Sequence, residues 1–283
     1  MMRHSLACVS FLNSKPLIEP LLGRADVDIH LAVPSKLLEI VESGRASTGL
    51  LSIVDYQQSS VELLLVPAGA IGCDGPTLTV RIFSRVPPGR ITRLHGDTDS
   101  HTSVILAQLI LREAHGVKVE MVGLGNDDAS TKHTKRAKGH EDGGGPEAML
   151  LIGDKVVNAA PDAVEYPYQL DLGEEWKKLT GLPFVFACWM MRADMIDQPL
   201  ADMLAWAQRE GAKMTEAILD KYAGEKHWPR ELARRYFTEY LRYEVTPRGR
   251  EGIERFFRMA GERGLLEVRR GVRYLELSAG NLT

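Results

Sequence analysis

Short aliphatic and β-branched runs, HSLACVS from His4, DIHLAV from Asp28, STGLLSI from Ser47 and TLTVRIFS from Thr77, alternate with stretches whose apolar residues recur every three or four positions. Such alternation predicts α/β architecture with parallel strands. The first helical stretch, SKLLEIVESG, runs from Ser35 through Val41, with Ser35 as N-cap, Glu39 four residues later and Gly44 as its stop. A second α/β unit begins at ITRLHGD, continues through the helical TSVILAQLILREAHG and the strand VKVEMVG, and closes with AMLLIGDKVV. The unbroken apolar run FVFACWMMR then leads into a helical final third, in which PLADMLAWAQREGAKMTEAILDKYAG, PRELARRYFTEYLRY and PRGREGIERFFRMAGERG keep helical spacing. These last helices read as scaffold, with Trp206, Phe256 and Phe257 in the core.

This order predicts two lobes around a hinged cleft. Residues 1–84 and 191–283 form a discontinuous first lobe, residues 85–190 form the second, and the chain returns through the FVFACWM strand. Small ligands bind beyond the carboxyl ends of α/β strands and between domains, so the cleft is the expected site. Residues 126–147, NDDASTKHTKRAKGHEDGGGPE, are polar, charged and glycine-rich without apolar periodicity, and read as a mobile surface insertion.

Composition narrows the partner. With 44% hydrophobic and 26% charged residues, the chain of 283 residues suits a soluble globular protein of one large domain or two modest lobes, and no apolar run is long enough to span a bilayer. A net charge of −3, with arginines interspersed among acids, argues against nucleic acid and leaves a small molecule as the expected partner. The apolar residues before Asn13 are too few for a secretory signal, so a cytoplasmic location is expected. Cys8, Cys73 and Cys188 read as buried thiols, and the eight histidines show no ligand spacing. No glycine-rich phosphate loop, nucleophile elbow, HExxH or CxxC is present, which points to a function without cofactor or metal.

Several strand ends carry polar groups. VSFLNSKPL turns from a strand into a helix opened by Pro16, so Ser10, Asn13 and Ser14 either face a cleft or only satisfy turn and cap hydrogen bonds; Lys15 is expected to face water. At DTDSHTSVILAQL, Ser100 or Thr102 caps a helix whose first turn places the hydroxyls of Thr102 and Ser103 beside free amides, a receptor suited to a carboxylate. Ser52 ends one strand, with Asp55 beyond it as cap or ligand contact. Thr79 lies in a strand heading for the second lobe, and Asp154 follows the apolar strand ending at Ile152 and Gly153.

Taken together, VSFLNSKPL, GPTLTV, HTSVILA, LLIGDKV and DLGEEWKKLTGLPFVFACWMMR, in that order over almost the whole chain, resemble the chorismate dehydratases of the futalosine route to menaquinone. The resemblance implies a type II periplasmic-binding-protein-like fold and conversion of chorismate to 3-[(1-carboxyvinyl)oxy]benzoate with loss of water. It places the family's cleft asparagine on Asn13 and its strand serine on Thr79, a departure that keeps the hydroxyl but stiffens χ1. Thr102 and Ser103 match a carboxylate-holding pair and Ile152 and Asp154 a strand end; Ser10 and Ser52 are expected as further substrate contacts from their own strand-end positions, not from the family match. The insertion 126–147 has no family counterpart. Two alternatives remain: dihydroxynaphthoate synthase of the same route, expected to carry a PxND-like motif and a histidine near the cleft that are not visible here, and an aromatic-acid-binding or sensor protein without catalysis. Oligomeric state is not legible.

Overall fold

The computed structural model describes residues 3–96, 100–123 and 145–278. Its first sheet contains β1 (His4–Cys8), β2 (Val27–Leu31), β3 (Thr48–Ser52), β4 (Leu63–Cys73), β10 (Phe184–Arg192) and β11 (Leu241–Arg242), in the order β11-β4-β10-β3-β1-β2. The second contains β5 (Val80–Ser84), β6 (Arg93–Gly96), β7 (Glu120–Gly123), β8 (Ala148–Ile152) and β9 (Tyr168–Asp171), in the order β7-β6-β8-β5-β9. The helices are α1 (Lys15–Ile18), α2 (Pro34–Glu42), α3 (Asp55–Gln58), α4 (His101–His115), α5 (Asp154–Asn158), α6 (Leu172–Thr180), α7 (Gln198–Lys213), α8 (Thr215–Tyr222), α9 (Arg230–Arg235) and α10 (Pro247–Glu262).

Both sheets are mixed, which corrects the expectation of parallel strands. β1 is parallel to β2 and β3, but β10 runs antiparallel to β3 and β4. In the second sheet β6 is parallel to β7 and β8, while β5 is antiparallel to β8 and β9. The parallel pairs come from local crossovers through a helix; β10 arrives from the other lobe and is free to enter in the opposite direction. Its place between β3 and β4 explains its composition, since a central strand covered on both faces reads as a continuous apolar run.

Sheet membership also moves the lobe boundaries. β5 already belongs to the second sheet and β10 wholly to the first, so the crossings fall between Cys73 and Val80 and between Thr180 and Phe184 instead of near residues 84 and 190. At the return crossing Trp176, Phe184 and Phe256 pack edge to face, the Phe184 centroid 5.3 Å from Trp176 and 5.1 Å from Phe256. Phe256 and Phe257 are core, but Trp206 is 37% exposed beneath the Arg24 guanidinium. The inward face of α7 is Leu200, Leu204, Ala207 and Gly211, and Trp206 falls off that stripe. Gly211 lies so close to α1 that a Cβ would come within 1.6 Å of the Pro16 carbonyl oxygen.

Local chemistry sets the helix ends. α2 starts at Pro34 with Val33 as N-cap, two residues before the N-cap expected at Ser35, because proline needs no hydrogen-bond partner at the first helical position. Gly44, at φ +75°, ends it as expected. Asp197 caps α7 through the Leu200 amide, and Thr246 caps α10 through the Gly249 amide. The three cysteines are buried free thiols, and burial pushes the Cys8 thiol up to about 12. Among the described residues no helix is long and apolar enough to cross a membrane. Most of the anticipated insertion, residues 126–144, lies outside the described residues; Glu147 at its end accepts from the Thr92 amide at 2.6 Å.

Candidate functional site

Between the lobes lies a cleft lined by apolar side chains, including Val9, Phe11, Ile71 and Phe186, and by the polar residues Asn13, Ser52, Thr77, Thr79, Ser100 and Ser103. Among the described residues no charged side chain lines it. An anionic ligand would therefore be held by hydroxyls, amides and helix-terminal N–H groups, while the apolar walls suit a ring.

Asn13 is placed by a tight turn after β1. The Ser14 hydroxyl donates to the carbonyls of Val9 and Phe11 at 2.8 and 2.9 Å, closing the turn that precedes α1. The Asn13 carbonyl accepts from the Tyr243 hydroxyl at 3.1 Å, its Nδ2 donates to Tyr236 Oη at 3.4 Å, and its Oδ1 is buried without a partner among the described residues. Lys15, expected in water, is only 6% exposed: its ammonium sits 4.4 Å from the Tyr222 ring centroid, and burial lowers its pKa. Ser10, by contrast, is exposed and does not line the cleft.

Thr79 is placed by the segment that crosses between lobes. Asp171, the first residue of the DLGEEW motif, accepts from the amides of Thr77 and Leu78 at 2.9 and 2.8 Å and also caps α6 through Gly173 and Glu174. This one buried carboxylate ties α6 to the crossing loop and supports Leu78 at φ +69°, a backbone region costly for a branched residue. Gly173 is required by the same approach, since a Cβ there would meet Cys73 Sγ at 2.5 Å and the Gly75 carbonyl oxygen at 2.6 Å. Thr79, next in sequence and 2% exposed, sets its Oγ1 2.7 Å from Tyr236 Oη.

Across the cleft, Ser100 is the N-cap of α4, but its hydroxyl donates to Ser103 Oγ at 2.8 Å instead of capping a backbone amide. Both serines line the cleft. Thr102 does not; its Oγ1 accepts from the Val54 amide at 3.4 Å, which joins α4 to the first lobe. His101, beside them, sets Nδ1 2.8 Å from Asp55 Oδ1. A histidine thus stands at the edge of the cleft, contrary to the sequence reading, although it is not one of the lining residues. Asp55 serves as its partner and is fully buried.

Ile152 and Gly153 line the cleft, whereas Asp154 turns away from it and accepts from Trp228 Nε1 at 2.9 Å. Burial raises the Asp154 pKa, and the Trp228 hydrogen bond works against that rise. Trp228 stacks on Tyr236, with centroids 4.9 Å apart. Tyr236 opens a π-helical turn over Tyr236–Tyr240, and burial pushes its phenol well above the ordinary range, so it stays protonated. Sequence reading missed both aromatics: Tyr236 looks like one more apolar position in a helical stripe, Trp228 lies in the short connection before Pro229, and only the fold brings them to Asn13, Thr79 and Asp154. Among the described residues no group of three or more His, Cys, Asp or Glu is arranged to hold a metal ion.

The geometry has parallels in known proteins. The sequence profile of a family described as menaquinone biosynthesis matches residues 4–262. A chorismate dehydratase from Thermus thermophilus is 27% identical over 245 residues, covering 81% of this chain and 85% of that protein. A structural-genomics protein from Archaeoglobus fulgidus superposes with a TM-score of 0.67 at 16% identity, over 93% of this chain and 98% of that one. The periplasmic aliphatic sulphonate binding protein SsuA from Escherichia coli gives 0.65 at 12% identity, over 98% and 95%. These superpositions establish the periplasmic-binding-protein-like fold, two α/β lobes around a cleft, that the sequence resemblance implied.

Proposed function

The chain belongs to the menaquinone biosynthesis family, and from that premise we propose that it is a chorismate dehydratase, a carbon–oxygen lyase that converts chorismate to 3-[(1-carboxyvinyl)oxy]benzoate and water in the cytoplasm. The observation that carries the reading is the convergence of Asn13, Thr79 and Ser103, from three distant segments, on one cleft whose described lining is largely apolar and without charge. The likeness to a chorismate dehydratase supports it.

Loss of water from chorismate makes the ring aromatic, so the driving force lies in the product. The site has to hold the substrate, place a base near a ring hydrogen and assist the departing hydroxide. Ser100, Ser103 and the first amides of α4 hold a carboxylate, and Ser52 and Thr77 add hydroxyls along the wall. Asn13 and Thr79 face the leaving hydroxyl. No carboxylate or histidine lines the cleft among the described residues, and Tyr236 is a protonated donor. The proton acceptor in this reading is the substrate's own enolpyruvyl carboxylate, fixed near the ring hydrogen by α4.

Purified protein incubated with chorismate, without added metal or nucleotide and with EDTA present, should yield the enolpyruvyl benzoate, identified by mass and ultraviolet spectrum. Tight binding of chorismate without product would make the protein a binder or sensor. Inhibition by EDTA would overturn the cofactor-free mechanism. Inertness toward chorismate would reopen the sibling enzyme of the same route, for which His101 at the cleft edge would be the base to test.

A further inference from the structure

The Tyr236 hydroxyl stands between the two residues that face the leaving hydroxyl, and its surroundings leave one arrangement for its proton. Tyr236 is 1% exposed, with Oη 2.7 Å from Thr79 Oγ1 and 3.4 Å from Asn13 Nδ2. An amide nitrogen offers only hydrogens, so the Asn13 contact uses a lone pair of the phenol oxygen. Among the described residues Thr79 Oγ1 is then the acceptor left for the phenol's single proton, and a buried donor is costly to leave unpaired. With its oxygen accepting from Tyr236, Thr79 must turn its own hydrogen elsewhere, and Thr79 lines the cleft. Asn13, committed as a donor on one side, keeps Oδ1 as a buried acceptor with no partner among the described residues, and it also lines the cleft.

We propose that Tyr236 is a positioning residue that sets the polarity of the site, presenting the Thr79 hydroxyl to the substrate as a donor and Asn13 Oδ1 as an acceptor. The inference rests on the dehydratase reading and deepens it. The pair suits a ring carbon bearing a hydroxyl: Asn13 Oδ1 accepts from that hydroxyl in the ground state, and Thr79 donates to its oxygen as the C–O bond breaks. The C–O electron pair leaves with the oxygen, the pair from the adjacent ring C–H bond becomes the new ring double bond, and the released proton and hydroxide make water, so neither oxidant nor reductant is needed. Thr79 comes from the crossing between the sheets and Tyr236 from the helical final third. Stacking on Trp228, itself tied to Asp154, fixes the angle of the phenol.

The test is a double-mutant cycle on the full chain, read in kcat, KM and melting temperature with chorismate as substrate. Tyr236→Phe should lower kcat about tenfold or more while KM stays within about threefold. Thr79→Val should lower kcat at least as much, and Tyr236→Phe added to it should cost almost nothing further, because the tyrosine acts through the threonine. Independent, multiplying losses, or a Tyr236→Phe protein as fast as wild type, would overturn the inference. If Tyr236→Phe melts far below wild type, 3-fluorotyrosine at position 236 takes its place: a stronger donor polarises Thr79 and should raise kcat at unchanged KM, and unchanged kcat would overturn the inference. An inactive wild type would overturn the dehydratase reading and this inference with it; an active wild type with an additive cycle would overturn the inference alone.

Discussion

His101 Nδ1 lies 2.8 Å from Asp55 Oδ1, linking the start of α4 in one lobe to the start of α3 in the other. Asp55 is fully buried, its Oδ2 has no partner among the described residues, and burial raises its pKa against the pull of His101. With the Thr102–Val54 contact beside it, the pair holds the first turn of α4 against the first lobe. His101→Ala should therefore destabilise the protein by about 1–3 kcal/mol, the usual cost of stranding a buried polar group. Asp55→Asn in the same chain should recover part of that loss, because the stranded group is then neutral. Urea unfolding of the single and double variants measures both, and a His101→Ala protein as stable as wild type would mean that the contact contributes nothing.

Ser103 and Thr102 should separate, although the sequence places them together. Ser103 lines the cleft, so Ser103→Ala removes a hydroxyl donor to a charged group, worth ~1.5–3 kcal/mol or roughly ten- to a hundredfold in kcat/KM. If the substrate carboxylate is also the base, kcat falls along with the rise in KM, since proton transfer depends on near-attack geometry. Thr102→Val should mainly lower the melting temperature, because its hydroxyl contacts the Val54 amide. Steady-state kinetics beside thermal melts decide this, and a change in KM alone at Ser103 would reduce its role to anchoring.

Gly211→Ala tests the frame beneath Asn13. Its Cβ would sit 1.6 Å from the Pro16 carbonyl oxygen, so α7 and α1 must separate. Overpacking against backbone costs about 1–3 kcal/mol or more, and the displacement reaches Asn13 three residues before Pro16. Both melting temperature and kcat should fall; an unperturbed protein would contradict the α1–α7 approach.

How much of this was legible depended on whether the signal was local. The paired lobes, the apolar β10 and the polar strand ends show in periodicity, whereas Asn13, Thr79, Ser103 and Ile152 are singled out by the family resemblance; with Ser52 they line the cleft. Lobe boundaries were misplaced because nothing local distinguishes β5 from strands of the first sheet; its pairing with β8 and β9 settles its membership. Ser10 and Asn13 stand in one turn, and only the Ser14 hydrogen bonds determine which faces the cleft. Tyr236 and Trp228 were invisible for a different reason, since their partners lie more than 70 residues away in sequence. Asp171 opens one of the segments that carry the family resemblance, yet its task of clamping the Thr77 and Leu78 amides appears only in three dimensions.

Asn13→Ala should lower kcat by about a hundredfold or more with little change in melting temperature. Among the described residues the side chain makes one long hydrogen bond, 3.4 Å to Tyr236, and its oxygen has no partner, so the fold loses little when it goes. A variant that unfolds, or that stays folded with full activity, would return Asn13 to a turn-stabilising role. Kinetics and calorimetry on one preparation separate these outcomes.

Asp154 decides what removes the proton. It turns toward Trp228 and does not line the cleft, so with the substrate carboxylate as base Asp154→Asn should keep turnover within about tenfold of wild type. Its stability effect carries a sign. Burial raises the folded-state pKa above the ordinary value of 3.8, so below that value both folded and unfolded chains hold the proton and the side chain's contribution is fully present. As pH rises through the raised folded-state pKa, the buried carboxyl must ionise and that contribution is lost. Asparagine does not titrate, so the melting temperature of Asp154→Asn relative to wild type should climb as pH rises above the ordinary carboxyl value of 3.8. Calorimetry across that range checks the sign, and a difference that falls with pH would mean the carboxylate is stabilised by its surroundings. Turnover abolished with chorismate binding intact would make Asp154 the base and remove the substrate carboxylate from that role. A folded, active variant leaves the proton to the carboxylate that α4 holds.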